Sequence, residues 1–439
     1  SPARLMMKCG AFSSTHDYLL DRFLYEYFPE GHHTSDILAP TMPHDLPLAA
    51  VTAFSIDDAS TTEIDDAFSI TPLSGGGWRI GIHIAAPALG IRHDDPLGSL
   101  ARNRLSTVYM PGRKITMLPD IAVEHFTLAA GRDAPALSVY LDIDREYRLQ
   151  HRETRIERVN ITANLRHHDL EPWFNEITLT EGLPDRPYAS ELRLLWEYAN
   201  ILEAARGKAG QIQNQNDYNF TVDWTNNPHA SEPGRIHIEQ RRRGSPLDKL
   251  VSELMIVANA GWGKELAEAG VAALYRAQTS GKVRMTTVAA PHEGLGVDCY
   301  TWLTSPLRRY VDLLNQWQLI ALLRDEPPNF TARSTDFLAA LRDFELTYAA
   351  YAEFQRNMER YWCLRWIQQE EKTDLTAQVI RENLVRIDNL PLVLRLSDLP
   401  ETPEGNRIRL EITQIDLLDI EAKGRYIENL SAPAEENAG

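Results

Sequence analysis

The chain has 439 residues, of which 43% are hydrophobic and 24% charged, and its 62 acidic residues outnumber 45 basic ones for a formal net charge of −17. No run of about eighteen apolar residues and no basic-then-apolar leader occurs, which speaks against a helical membrane protein and predicts a cytoplasmic chain of two or three domains. Three cysteines, Cys9, Cys299 and Cys363, lie far apart without a CxxC pair, so neither a disulfide framework nor a structural zinc site is expected.

Residues 1–45 hold one clear helix, Thr15 to Phe28, capped by Ser14 or Thr15 and stopped by Pro29, which is too little for a domain. From about residue 46 short strands take over. "AFSITPL" and "WRIGIHIA", joined by "SGGG", read as a hairpin in which Ile80, Ile82 and Ile84 alternate with Gly81, His83 and Ala85. Just ahead of it, "SIDDASTTEIDDAFSI" at 55–70 crowds Asp57, Asp58, Glu63, Asp65 and Asp66 together without one Lys or Arg.

Helices dominate 190–372. "ELRLLWEYANILEAARG" places Leu192, Leu195, Ala199 and Leu202 on one face, and "SPLDKLVSELMIVANAG" offers Ser245 as cap, Pro246 at the first helical position and Asp248 to complete a capping box. "TSPLRRYVDLLNQWQLIALL" predicts a third helix, capped by Thr304 or Ser305 and started by Pro306, with Arg308 and Arg309 in its first turn. A long helix follows from about Ser334 to Gln369, with room for a break. After "EEKT", four or five short strands suit a small barrel, and the closing "SAPAEENAG" reads as a disordered tail.

Two carboxylates about 4 Å apart repel by roughly 4 kcal/mol at an effective dielectric of 20, so a converging acidic loop needs a cation. A solvated acidic loop is the plainer reading. An EF-hand would need a mid-loop Gly that is absent, whereas Mg²⁺ takes a few carboxylates together with water and substrate phosphate. At the predicted helix start, Arg308 and Arg309 would add positive charge where a helix N-terminus already favours anions, which points to a phosphate. The alternative is an Arg308–Asp312 pair at i,i+4. Net negative charge argues against a nucleic-acid partner, yet 37 of the basic residues are Arg and only 8 are Lys. "RRRG" at 241–244 is as well explained by a solvated loop as by a contact to a nucleic-acid backbone and is set aside.

Asp57, Glu63, Asp65 and Asp66 resemble the D-x5-D-x-D-D signature of the ribonuclease II (RNB) family of 3′→5′ exoribonucleases. "HIAAP", "RLSTVYMPGRKITMLP", "LVSELMIVANA" and "GLGVDCYTWLTSPLRRYVDLLNQ" are similar to the family's later blocks in the same order, and the terminal strands resemble its S1-type barrel. The resemblance spans about 48–425. It implies an α+β fold: a helical segment or remnant over 1–45, an RNB catalytic domain with a central RNA channel over 46–375, an S1-like OB-fold β-barrel over 376–427, and a disordered tail over 428–439.

The same resemblance implies hydrolysis of single-stranded RNA from its 3′ end, releasing nucleoside 5′-monophosphates at a two-metal Mg²⁺ site, with Mn²⁺ as an alternative ion. By motif position Asp57, Glu63, Asp65 and Asp66 bind metal, directly or through water, and Arg308 meets the scissile phosphate. Tyr109 and Phe220 hold the terminal bases, Glu253 recognises the 2′-hydroxyl, and Glu359 contacts the terminal nucleotide. Packing aromatics and solvated helix faces are the competing explanations for these last four. Glu63 departs from the family's Asp by one methylene, about 1.5 Å, and Ala86 stands where "HIAD" carries an acid. The family's paired cold-shock barrels have no room within 45 residues. The expected partner is single-stranded RNA, with no membrane and no obligate protein partner, and the chain is expected to be a monomer. Rival readings are a catalytically weak or inactive RNA-binding protein that retains the fold, and a metal phosphodiesterase acting on small nucleotides. A serine hydrolase at Ser305 lacks the G-x-S-x-G elbow.

Overall fold

The computed structural model describes residues 2–32, 39–210, 216–225 and 232–431. Two helices come first, α1 (Pro2–Lys8) and α2 (Thr15–Tyr27). The Ser14 hydroxyl caps α2 by accepting from the Asp17 N–H at 3.0 Å. Arg4 on α1 pairs with Asp416 and Asp419 near the other end of the chain, a long-range contact that no local pattern reveals.

Next come β1 (Leu48–Asp57), β2 (Asp66–Pro72), β3 (Trp78–Ala85), α3 (Pro96–Arg104), β4 (Val108–Met110), β5 (Arg113–Ile115), α4 (Asp120–Phe126), β6 (Arg132–Ile143) and β7 (Leu149–Arg166). Strands β1, β2, β3, β6 and β7 close into a barrel in that order. The closure is a parallel pairing of β7 with β1 that sets Asp57 opposite Arg166. The hairpin between β2 and β3 forms as the sequence predicts. Gly77 sits at φ +84°, and a Cβ there would lie 2.1 Å from the Ile143 carbonyl oxygen, so the turn needs glycine.

The chain continues through α5 (His167–Leu170), α6 (Glu176–Glu181), α7 (Ala189–Ala205), β8 (Asn216–Asp223), β9 (Arg235–Arg242), α8 (Pro246–Glu268), β10 (Tyr275–Thr279), β11 (Lys282–Thr286), α9 (Tyr310–Leu323) and α10 (Thr335–Gln369). Ile80, Ile82 and Ile84 pack with Leu192 and Leu195 of α7 and Leu250 and Leu254 of α8. The opposite face of β3 is buried too. His83 bridges the Ser69 and Ser138 hydroxyls at 2.7 Å each, so strict alternation on β3 separates two buried faces rather than core from solvent.

Three local expectations change. Helix α10 runs unbroken for 35 residues. Ser245 caps α8, but Asp248 does not close a capping box: its carboxylate accepts from the Gly244 N–H at 3.2 Å and from Arg241 at 2.7 Å, drawn off by that guanidinium. Helix α9 starts at Tyr310, four residues later than Pro306 suggests, so Arg308 and Arg309 are not helical.

Five C-terminal strands, β12 (Asp374–Arg381), β13 (Leu384–Ile387), β14 (Val393–Arg395), β15 (Arg407–Asp416) and β16 (Glu421–Asn429), form an antiparallel OB-type sheet in the order β14-β13-β12-β15-β16. Its core of Val379, Val385, Leu394, Ile408 and Leu410 includes Cys363, Leu364 and Ile367 from α10, so this unit and the helix share apolar surface. Strand β16 runs past residue 427, and most of the predicted tail, 432–439, lies outside the described residues. Among the described residues no helix is long and apolar enough to cross a membrane.

Candidate active site

The acidic loop joins the end of β1 to the start of β2, with Asp57 and Asp66 as its terminal residues. Its backbone is pinned from several sides. Arg166 donates to the Asp58 carbonyl at 2.7 Å, and the Thr127 hydroxyl donates to the Thr62 carbonyl while accepting from the Ile64 N–H, both at 2.8 Å. Ile64 is buried in the core, and the Asp65 carbonyl accepts from the Ala85 N–H at 2.8 Å. With Ile64 turned inward, the carboxylates on either side of it are held in place rather than free in solvent.

Their surroundings do not favour charge. Burial pushes the Asp57 carboxyl up to about 6, although the Ser55 hydroxyl donates to it at 2.5 Å and Arg166 opposes the rise. Burial likewise raises Asp65 to about 7, against the nearby Arg308 guanidinium and the Leu307 N–H that donates at 3.0 Å. Asp66 lies well above the ordinary carboxylate range through burial and then the charges of Asp57 and Asp65. Carboxylates shifted upward by burial and by one another are stabilised when a cation joins them.

The donor set fits a hard divalent ion, since all its atoms are carboxylate oxygens. Among the described residues, however, no three His, Cys, Asp or Glu side chains are drawn together into a ready cage. Asp57, Asp65 and Asp66 are the residues that would hold Mg²⁺ or Mn²⁺. Glu63 is already partnered: its buried carboxylate accepts from Lys114 Nζ at 2.6 Å and more distantly from the Thr107 hydroxyl at 3.4 Å.

Arg308 reaches this cluster by a different route from the predicted helix turn. Leu105 ends α3 in the left-handed region, φ +63°, and turns residues 105–107 to run antiparallel to 308–310. The Tyr310 N–H donates to the Leu105 carbonyl at 2.8 Å and the Thr107 N–H to the Arg308 carbonyl at 3.0 Å. Arg309 is thereby extended, at φ −134° and ψ 127°, and the helix cannot begin before it. Ser305 serves a different purpose from capping. Its N–H donates to buried Asp312, and its hydroxyl accepts from Arg308 Nη2 at 2.9 Å. Asp312 pairs with Arg309, not Arg308, while Arg308 Nε lies 3.4 Å from Asp65 Oδ2. Burial alone would lower the Arg308 pKa, but Asp65 and its neighbours raise it, so the guanidinium is a permanent cation.

These groups open onto a cavity of about 1560 Å³. Asp57, Glu63, Asp65, Asp66, Tyr109, Phe220, Arg308 and Glu359 all line it. Tyr109 comes from the β4–β5 hairpin and Phe220 from β8, whose ring also packs toward the C-terminal sheet. Glu359, on α10, accepts from Gln355 at 3.0 Å, and burial raises its pKa.

Glu253 is not among the lining residues. It is buried on α8 and ion-paired with Arg206, which also donates to the Leu295 carbonyl. The capped-helix pattern locates α8 correctly but does not say which side of it faces the cavity. Glu253→Ala is therefore expected to cost up to about 3 kcal/mol in urea unfolding, by stranding Arg206, and to leave the ratio of RNA to DNA affinity unchanged. A narrowed ratio in a folded variant would return the residue to ligand recognition.

Two basic residues escaped the sequence reading. Arg241 on β9 is a hub on the cavity wall, 2.7 Å from Asp248 and 3.3 Å from both Asp58 and Glu171, and so is not a solvated loop residue. Lys114 on β5 touches Glu63; "PGRK" is a visible signal, but only the hairpin register aims the ammonium inward.

Within a mixed α and β fold, a closed five-stranded barrel carries an acidic basin that is faced by the half-buried Arg308 guanidinium and flanked by an OB-type sheet. The RNB domain model matches residues 46–285 and 278–325, and the chain belongs to the RNB family. It is 27% identical over 405 residues to an uncharacterized ribonuclease of Synechocystis sp., covering 84% of this chain and 58% of that protein. It is also 27% identical over 333 residues to exoribonuclease 2 of Vibrio vulnificus, covering 62% and 49%. The chain thus spans about half the length of the curated relatives it matches.

Solved structures share the fold at lower identity. Dss1 exoribonuclease from Candida glabrata superposes with a TM-score of 0.74 at 20% identity, over 90% of this chain and 57% of that one. Mycoplasma genitalium RNase R in complex with ribose-methylated single-stranded RNA gives 0.70 at 15%, over 88% and 72%. Yeast Ssd1, described as a pseudonuclease, gives 0.63 at 14%, over 86% and 55%.

Proposed function

We propose that this chain is a 3′→5′ hydrolytic exoribonuclease on single-stranded RNA that requires Mg²⁺ and releases nucleoside 5′-monophosphates. The observation that carries the reading is the meeting of Asp57, Asp65 and Asp66 with Arg308 at one cavity whose wall also presents Tyr109 and Phe220. Aromatic faces grip any base, at about 1–3 kcal/mol per base, which suits stepwise shortening without regard to sequence.

In the reaction a water oxygen attacks the phosphorus, the bond from phosphorus to the 3′-oxygen of the preceding nucleotide breaks, and the proton lost by water ends on that oxygen. A bound divalent ion would supply charge for the developing oxyanion and lower the pKa of water. Arg308, held between Asp65 and Ser305, can present its remaining N–H groups to a phosphate oxygen. Asp57, Asp65 and Asp66 supply carboxylate oxygens that become good ligands once deprotonated. A second ion ligated directly by Glu63 would require Glu63 to leave Lys114.

The test is 5′-labelled single-stranded RNA incubated with the protein and Mg²⁺. A ladder shortening from the 3′ end, abolished by EDTA, is expected; intact RNA at micromolar protein would sink the proposal. Intact RNA with retained strand affinity would instead favour the second reading, an RNA-binding protein that keeps the fold without cleaving. The Lys114–Glu63 contact and the likeness to Ssd1 are what support that reading.

A further inference from the structure

Glu63 is the acidic-loop residue that already holds an ammonium. Lys114 Nζ lies 2.6 Å from Glu63 Oε2 and 2.6 Å from the Thr62 hydroxyl oxygen, so two acceptors from the loop fix one ammonium. The Glu63 side chain is 4% exposed. Among the described residues its neighbours Asp57, Asp65 and Asp66 have no lysine against them, and Arg308 is the guanidinium beside Asp65. The adjacent Arg113 also lines the cavity, but its guanidinium lies 4.8 Å over the Trp224 ring, so Lys114 is the β5 cation paired with a loop carboxylate.

We propose that the Lys114 ammonium takes the place of one of the two divalent ions, so that this chain's site holds a single ion among Asp57, Asp65 and Asp66 beside a fixed Lys114–Glu63 pair. The proposal rests on the metal-dependent reading above. For Glu63 to ligate a second ion it would have to give up a charge-assisted bond in a desolvated position. It would also leave a +1 ammonium against a +2 ion, a repulsion twice that of two unit charges at the same separation. The longer Glu side chain is what permits the pairing, because its extra methylene carries the carboxylate outward to β5. Lys114 sits directly across the hairpin from Tyr109, so its charge lies beside the aromatic wall along which a strand would run.

The experiment is Mn²⁺ titration of the full chain at pH 7.5, followed by electron paramagnetic resonance of free ion, with Asp66→Asn as the reference for ions bound elsewhere. The wild-type protein is expected to bind one Mn²⁺ more than the reference. Lys114→Gln, which frees Glu63, and Glu63→Asp, which shortens the reach to Lys114, are each expected to bind two more. Two site ions in the wild type, or one in both folded variants, would overturn the proposal and leave the metal-dependent reading intact. No site ion in any of them would overturn both.

Discussion

Replacing Arg308 by Lys should slow release of the terminal nucleotide from single-stranded RNA by about 10²-fold, while affinity for the strand stays within about threefold. The substitution keeps the charge, so long-range attraction to phosphate persists. What it removes is the planar fork. Arg308 uses one edge toward Asp65, with Nε at 3.4 Å, and donates from Nη2 to the Ser305 hydroxyl at 2.9 Å, which leaves other N–H groups fixed in direction toward the basin. Lysine cannot satisfy Asp65 and Ser305 and still face a phosphate. Single-turnover rates read beside equilibrium binding separate the two effects, and a rate within threefold of wild type would remove Arg308 from the chemistry.

The route by which Arg308 arrives shows where sequence reading stops. "TSPLRRYVD" contains every local signal for a helix start, and the helix is real, but two backbone hydrogen bonds, Tyr310 N–H to the Leu105 carbonyl and Thr107 N–H to the Arg308 carbonyl, hold Arg309 extended. Those partners are about two hundred residues away, and the left-handed Leu105 that turns them has no Gly or Asn to announce it. The acidic loop, the β2–β3 hairpin, the capped α8 and the strand-rich C-terminus were legible, because each is written in neighbouring residues. The parallel closure of β1 on β7 was not; it joins residues about a hundred apart, and period-2 alternation does not identify a strand's partner.

The same distinction separates the site residues. Tyr109, Phe220, Arg308 and Glu359 share the cavity with the acidic loop, whereas Glu253 is paired with Arg206 and does not line it, because a helical position fixes height along the axis but not which neighbour fills the adjoining space. Lys114 and Arg241 were passed over since a basic residue in a strand or loop ordinarily faces solvent. Only tertiary placement brings each against a carboxylate.

Asp66→Asn is expected to stabilise the metal-free protein and to abolish its stabilisation by Mn²⁺. An acid whose pKa rises on folding binds more protons in the folded state between its ordinary value, here 3.8, and the raised one. Stability therefore falls as pH climbs through that window. For Asp57 the window closes at about 6 and for Asp65 at about 7, and for Asp66 it extends well beyond the ordinary range. Removing the Asp66 charge should accordingly do little near pH 4 and progressively more toward pH 8, with a limiting slope of about 1.4 kcal/mol per pH unit. His16 and His83, kept neutral by burial at about 4 and about 3, tilt the profile the other way, but they are present in both proteins and cancel in the comparison. Thermal unfolding at pH 5 and pH 8, with EDTA or Mn²⁺, reads all of this. Wild type should gain several degrees from Mn²⁺ at pH 8 and less at pH 5, and the variant should gain almost nothing at either. Equal Mn²⁺ shifts in the two proteins would mean that Asp66 does not hold the ion, and a metal-free variant less stable than wild type at pH 8 would mean that its carboxylate is not the strained group the surrounding charges make it.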